Sequence, residues 1–149
     1  MSLPSDTMDA TRSIAAAQAE LAEEFLTFDD WMDRYQLLLD KAKAMDALPE
    51  AERRDDMKVP GCQSQVWVET KLVDGRLRIR AASDAIITAG LIALLVEVYD
   101  GHTPAEIIAE PFTLAERIGL GNHLSPSRAN GFANMVKRIR AEAARLATT

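Results

Sequence analysis

Gln65-Val66-Trp67-Val68-Glu69-Thr70-Lys71-Leu72-Val73-Asp74-Gly75-Arg76-Leu77-Arg78-Ile79-Arg80-Ala81 is two runs of alternating residues about an Asp-Gly pair. In the first run Val66, Val68, Thr70 and Leu72 share one face. In the second, Leu77, Ile79 and Ala81 alternate with Arg76, Arg78 and Arg80. Side chains on a strand repeat every second residue, and Asp-Gly is a favoured tight-turn pair, so the stretch predicts an antiparallel hairpin with one apolar face. That face must be covered, and the sheet has room for a third strand.

Working outward, residues 84–99 are apolar on nearly every side, with Ile86, Ile87, Leu91, Ile92, Leu94 and Leu95 among them. They predict a central buried helix, capped by Ser83 and ended by Gly101. Gly90 inside it costs about 1 kcal/mol relative to alanine, which predicts that another backbone approaches closely there. Before the hairpin, residues 15–25 read as a first helix. Residues 30–45 read as a second, with Trp31, Tyr35, Leu38, Ala42 and Met45 on one core-facing stripe and Asp29 or Asp30 as cap. Leu48-Pro49-Glu50 closes that region. After the central helix, Thr103-Pro104-Ala105-Glu106 and Thr113-Leu114-Ala115-Glu116 both fit a capping box, and Gly119 ends the second of these helices. Ser125-Pro126 opens a last helix to about residue 146. It buries Phe132, Met135, Ile139, Ala143 and Leu146 and carries Lys137, Arg138, Arg140 and Arg145 toward its negative end. Helices, hairpin, helices is an α+β order: a small antiparallel sheet covered by helices.

A chain of 149 residues with 48% hydrophobic content is the size of one domain, 1–149, with residues 1–12 expected as a poorly ordered tail. The first residues lack the basic start and apolar stretch of a signal peptide, and the longest apolar run is too short to span a bilayer, so a cytoplasmic location without membrane contact is expected. The net charge of -6 is uneven: residues 1–57 carry 14 acids and 6 bases, whereas residues 58–149 carry 9 acids and 11 bases. This repels a polyanion, and the later basic residues are scattered, so nucleic acid is not an expected ligand. The acidic part reads as a solvated helix surface or as a docking face for a basic partner.

Cys62 is the only cysteine, set in Val59-Pro60-Gly61-Cys62-Gln63-Ser64-Gln65 between a Pro-Gly pair and the first strand. It cannot form an internal disulfide or assemble a thiolate zinc site, so it acts either as a small buried hydrophobe or as a single reactive sulfur. Its polar neighbours and the loop-to-strand junction favour the second reading. An ordinary thiol has a pKa near 8.5 and is about a few per cent ionised at neutral pH, so activation must come from neighbours or a partner. His102 and His123 have no paired spacing for a metal, and no metal site is expected. A Cys-His hydrolase using His123 stays open. Gly119-Leu120-Gly121 lacks the strand and further glycine of a dinucleotide loop.

The segments Val59-Pro60-Gly61-Cys62-Gln63-Ser64-Gln65-Val66-Trp67, Asp74-Gly75, Ser83-Asp84-Ala85, Gly90-Leu91 and His123-Leu124-Ser125-Pro126-Ser127-Arg128-Ala129-Asn130-Gly131, in this order, resemble the SufE family of sulfur acceptors, which includes CsdE. The resemblance runs from about Phe28 into the last helix. It implies that a cysteine desulfurase of the SufS or CsdA type, which carries pyridoxal phosphate, hands sulfur from its own persulfide to Cys62. This chain would have no cofactor of its own, and an iron-sulfur scaffold would receive the sulfur downstream. It also implies that the acceptor loop is tucked against apolar residues when free. Gly61, Gln63, Ser64, Asp84, His123 and Arg128 lie in the matching segments as supporting or partner-binding residues. Arg128 and Asp84 hold the loop and docking face, or else serve as a helix cap and an ion pair. Gly131 reads as a packing position. The chain is then a sulfur-transfer accessory, monomeric or homodimeric, rather than an enzyme. The competing readings are a regulatory module that docks on a desulfurase without taking sulfur and a free-standing Cys-His enzyme.

Overall fold

A computed structural model describes residues 12–148. The expected N-terminal tail lies outside the described residues except for Arg12, which pairs with Glu20 at 3.5 Å.

The hairpin forms as read. Strand β1 (Val66–Val73) pairs antiparallel with β2 (Arg76–Ser83) in a register that sets Val68 opposite Ala81 and Leu72 opposite Leu77. Asp74 and Gly75 both have positive φ, 53° and 78°, which is the two-residue turn whose twist matches the strands. Val66, Val68, Leu77, Ile79 and Ala81 are buried on one face. On the other face Glu69 and Arg80 form a cross-strand ion pair at 2.9 Å. The third strand shrinks to one bridge, Lys58 with Trp67. Pro60 has no N–H to extend a ladder, and Gly61 turns the chain away at a φ of 79°.

The helices are α1 (Ile14–Leu26), α2 (Trp31–Ala44), α3 (Ile86–Tyr99), α4 (Pro104–Ala109), α5 (Leu114–Arg117) and α6 (Pro126–Ala147). Helix α3 is the central one: it packs against α1, α2, α6 and β2, and buries Leu91, Ile92, Leu94, Leu95, Val98 and Tyr99. A Cβ on Gly90 would lie 2.5 Å from the Leu38 carbonyl oxygen, so the close backbone approach read from this glycine is that of α2. Asp30 caps α2 by accepting from the Met32 amide. Within the α2 stripe only Leu38 is fully buried; Trp31, Tyr35 and Met45 pack half-buried against the same core.

Two capping expectations change. Ser83 does not cap α3: it ends β2, its hydroxyl accepting from Ala85 N and donating to Gln65 O, and α3 starts two residues later than expected with Ala85 as an N-cap that has no side-chain acceptor. The box at Thr103 forms in full. The one at Thr113 does not, because the buried amide of Gln18 on α1 takes its place: Gln18 Oε1 accepts from Thr113 N at 2.7 Å and Leu114 N at 3.0 Å. Leu48, read as the end of a region, is itself fully buried in a small second cluster with Met57 and Ala82, and its N–H pairs with Ala81 O.

Among the described residues no helix is long and apolar enough to cross a membrane.

Candidate functional site

The segment carrying Cys62 is pinned at both ends and nearly untied between. On its N-terminal side Val59 N donates to Val66 O at 2.9 Å, and the Arg138 guanidinium of α6 donates to the carbonyls of Lys58 and Asp56, each at 2.9 Å. On its C-terminal side Gln65 N donates to Asp84 Oδ1 at 3.0 Å, Asp84 N donates to Gln65 O, and the Ser83 hydroxyl reaches the same carbonyl. Among the described residues, one hydrogen bond ties residues 60–64 to a helix or strand, from Cys62 Sγ to the Gly131 carbonyl at 3.5 Å. The thiol rests on a glycine: a Cβ on Gly131 would lie 3.4 Å from Sγ, in close van der Waals contact. Gly61 is favoured by its positive φ of 79°, and an added Cβ would also displace the end of the Asn134 side chain, whose Nδ2 would be 2.3 Å away.

Cys62 is half-buried and packs against the main core. Burial pushes its thiol above the ordinary value, since the neutral form is the one a dry seat favours. It stands at the edge of a cleft of about 380 Å³. Gln63 and Ser64 line the cleft from the loop, Thr88 and Leu91 from α3, and Ser125, Ser127 and Arg128 from the start of α6.

Of the residues singled out from sequence, the structure thus brings Cys62, Gln63, Ser64 and Arg128 to one cleft, with Gly61 in the adjoining turn and Asp84 bonded to the strand entry beside it. His123 is placed elsewhere. Its ring stacks on Trp31, centroids 3.7 Å apart, and its carbonyl accepts from the Tyr35 hydroxyl. His102 is buried next to Glu106. Three contributors escape the sequence reading: Thr88, Asn134 and Arg138. Sequence position assigns Arg138 to the helix dipole and carries no signal that it reaches across to loop carbonyls 80 and 82 residues away. Arg140 likewise serves carbonyls, those of Ile107, Ile108 and Glu110 at the end of α4. Among the described residues no group of three or more His, Cys, Asp or Glu is placed to hold a metal ion.

The family model for the Fe-S metabolism associated domain, SufE, matches residues 19–143. This chain belongs to the SufE family. Its relatives include an uncharacterized SufE-like protein of Rhizobium etli, 38% identical over 89% of this chain and 93% of the relative. An uncharacterized SufE-like protein of Rhizobium meliloti is 36% identical over 83% of this chain and 92% of its own length. One from Synechocystis is 38% identical, covering 84% and 79% respectively. The solution structure of a hypothetical protein from Thermus thermophilus superposes with a TM-score of 0.74, covering 89% of this chain and 97% of that one; at 22% identity it shows the shared fold. Membership assigns this SufE-family chain a role in iron-sulfur metabolism.

Proposed function

We propose that Cys62 is a persulfide acceptor, and that the protein carries sulfur from a cysteine desulfurase toward iron-sulfur cluster assembly. The observation that supports this most is the mounting of the thiol. The chain's one sulfur nucleophile sits in a short flap, residues 60–64, which is pinned at Val59 and Gln65 and, among the described residues, has one hydrogen bond to a helix or strand between them, Cys62 on Gly131. Such a mounting keeps the thiol neutral and sheltered when seated and lets the flap swing out when a partner offers a better contact.

The reaction is a thiol exchange at sulfur. Cys62, as thiolate, attacks the outer sulfur of the donor persulfide; the donor S–S bond breaks, its cysteine leaves as thiolate, and a new S–S bond forms on Cys62. No net oxidation occurs. The seat's preference for the neutral thiol means that ionisation belongs to the swung-out state, so docking and activation are coupled. Pyridoxal phosphate belongs to the desulfurase. An accessory role rather than independent catalysis is supported by the two histidines, one stacked on Trp31 and one buried beside Glu106, neither lining the Cys62 cleft. A reducing compartment such as the cytoplasm suits a carrier thiol.

The test is desulfurase turnover, read as alanine released from cysteine in the presence of a reductant. Wild type raises the rate and Cys62→Ser does not. Equal stimulation by Cys62→Ser would assign the chain a docking role without transfer.

A further inference from the structure

The cleft beside Cys62 is built unlike a thiol pocket. The first turns of two long helices line it: Thr88 from α3, and Ser125, Ser127 and Arg128 from α6. The start of a helix is positive, equivalent to about half an elementary charge. At α3 that end carries no side-chain cap, because the neighbouring Asp84 directs its carboxylate to the Gln65 amide instead. Thr88 supplies an independent observation. It is 4% exposed, it lines the cleft, and its hydroxyl takes no hydrogen bond from any described residue. The residue is held in place by burial while its hydroxyl faces the cleft uncommitted, so it is free to donate to an anion there.

The thiol does not need this arrangement. Its proton is directed at the Gly131 carbonyl, an acceptor that favours S–H over S⁻. A persulfide differs on both counts. Its outer sulfur lies about 2 Å beyond Sγ, past the carbonyl contact, and the cleft of about 380 Å³ next to Sγ has room for it.

We propose that the cleft is an anion site for the outer sulfur of the Cys62 persulfide, with the Thr88 hydroxyl as its fixed donor, the two helix starts as its field and Arg128 as its charged rim. Thr88 is thus a positioning residue for the sulfur-loaded state, with no part in the resting one. The inference rests on Cys62 being a sulfur acceptor, and it deepens that reading by naming what holds the cargo.

The experiment loads Cys62 with inorganic polysulfide. The Cys62 thiolate attacks a terminal sulfur, the bond from that sulfur to the rest of the chain breaks, and the polysulfide leaves one sulfur shorter as an anion, so no partner protein is required. Iodoacetamide alkylation of the one-sulfur adduct is followed across pH by intact mass, next to alkylation of the unloaded thiol. For the persulfide, Thr88→Val is expected to raise the pH midpoint by about one unit, a tenfold change in the acid dissociation constant and the scale of one hydrogen bond to a charged acceptor. Thr88→Ser restores the wild-type midpoint, and the thiol midpoint stays the same in all three. The exposed variant Arg128→Gln raises the persulfide midpoint as well, and it reads the site even if Thr88→Val fails to fold. Persulfide midpoints unchanged in the folded variants would overturn the inference, as would an equal shift in the thiol, which would make Thr88 only a packing residue. A desulfurase that fails to load a chain which polysulfide loads would instead overturn the carrier reading and leave this one standing.

Discussion

Gly131 offers Cys62 a hydrogen where any other residue would offer carbon: an added Cβ would lie 3.4 Å from Sγ and 3.6 Å from the Cys62 Cα. Replacing it with alanine gains about 1 kcal/mol of helix propensity and loses a comparable amount to crowding. Gly131→Ala should therefore stay within about 1 kcal/mol of wild-type stability while lifting the flap, so that iodoacetamide alkylates Cys62 several-fold faster. An unchanged or slower rate would show that the glycine is not the seat. The seat also sets the pH response. Because burial disfavours the thiolate, the alkylation midpoint of native protein should lie above the ordinary thiol value of about 8.5 and return to it in denaturant; the fold correspondingly loses stability as pH rises past that value. A native midpoint below the denatured one would contradict this. Cys62 stands out in the sequence as the one cysteine, set between Pro-Gly and a strand. The thiol's contact with Gly131, 69 residues away, does not, since local pattern marks a glycine as unusual without saying what rests on it.

Element boundaries follow local chemistry wherever the chemistry is local. The hairpin register follows from period-two alternation and Asp-Gly, and the α2–α3 crossing is visible in Gly90 as a cost that only close packing explains. Gly90→Ala drives a methyl into the Leu38 carbonyl and should destabilise the fold by about 1–3 kcal/mol in urea unfolding, against the usual stabilising sign of Gly→Ala in a helix. The helix caps divide the same way. Thr103 satisfies its own helix within three residues, so Thr103→Ala should cost about 1 kcal/mol. Thr113 has the same sequence signature, but the start of α5 is capped by Gln18, 95 residues distant, whose amide nitrogen also donates to Pro111 O. Thr113→Ala should cost only a few tenths of that, and Gln18→Ala more than about 1 kcal/mol, since it strips hydrogen bonds from a buried site. Equal costs at the two threonines would restore the local box. A four-residue motif cannot show that a buried side chain from another helix has already taken the amide it would bind.

Across the whole molecule, the ionisable group least at home is His102. It is 4% exposed, and its Nδ1 has no hydrogen-bond partner among the described residues. Burial lowers its pKa; Arg76 and Arg12 act in the same direction, and Glu106, 3.7 Å away, opposes them. The folded state therefore resists protonation. Stability is intact above the unfolded histidine value of about 6.5 and declines as pH falls below it, through the lower folded value. Glu69, Glu106 and Glu142 are held below the usual carboxylate range, first by Arg80, the Thr103 amide and Arg145 respectively, and their contributions are lost further down, below about pH 4.5. Urea midpoints across pH should show this two-stage acid limb. His102→Gln should abolish the upper stage alone, and parallel curves for the two proteins between about pH 7 and 5 would refute the assignment.

Whether Cys62 takes custody of one sulfur atom from another protein's persulfide is read from intact mass after incubation with a cysteine desulfurase, pyridoxal phosphate and cysteine. Wild-type protein should come out heavier by a single sulfur, released by reductant, and Cys62→Ser unchanged. Sulfur on the serine variant, or none on wild type while the desulfurase turns over, would contradict it.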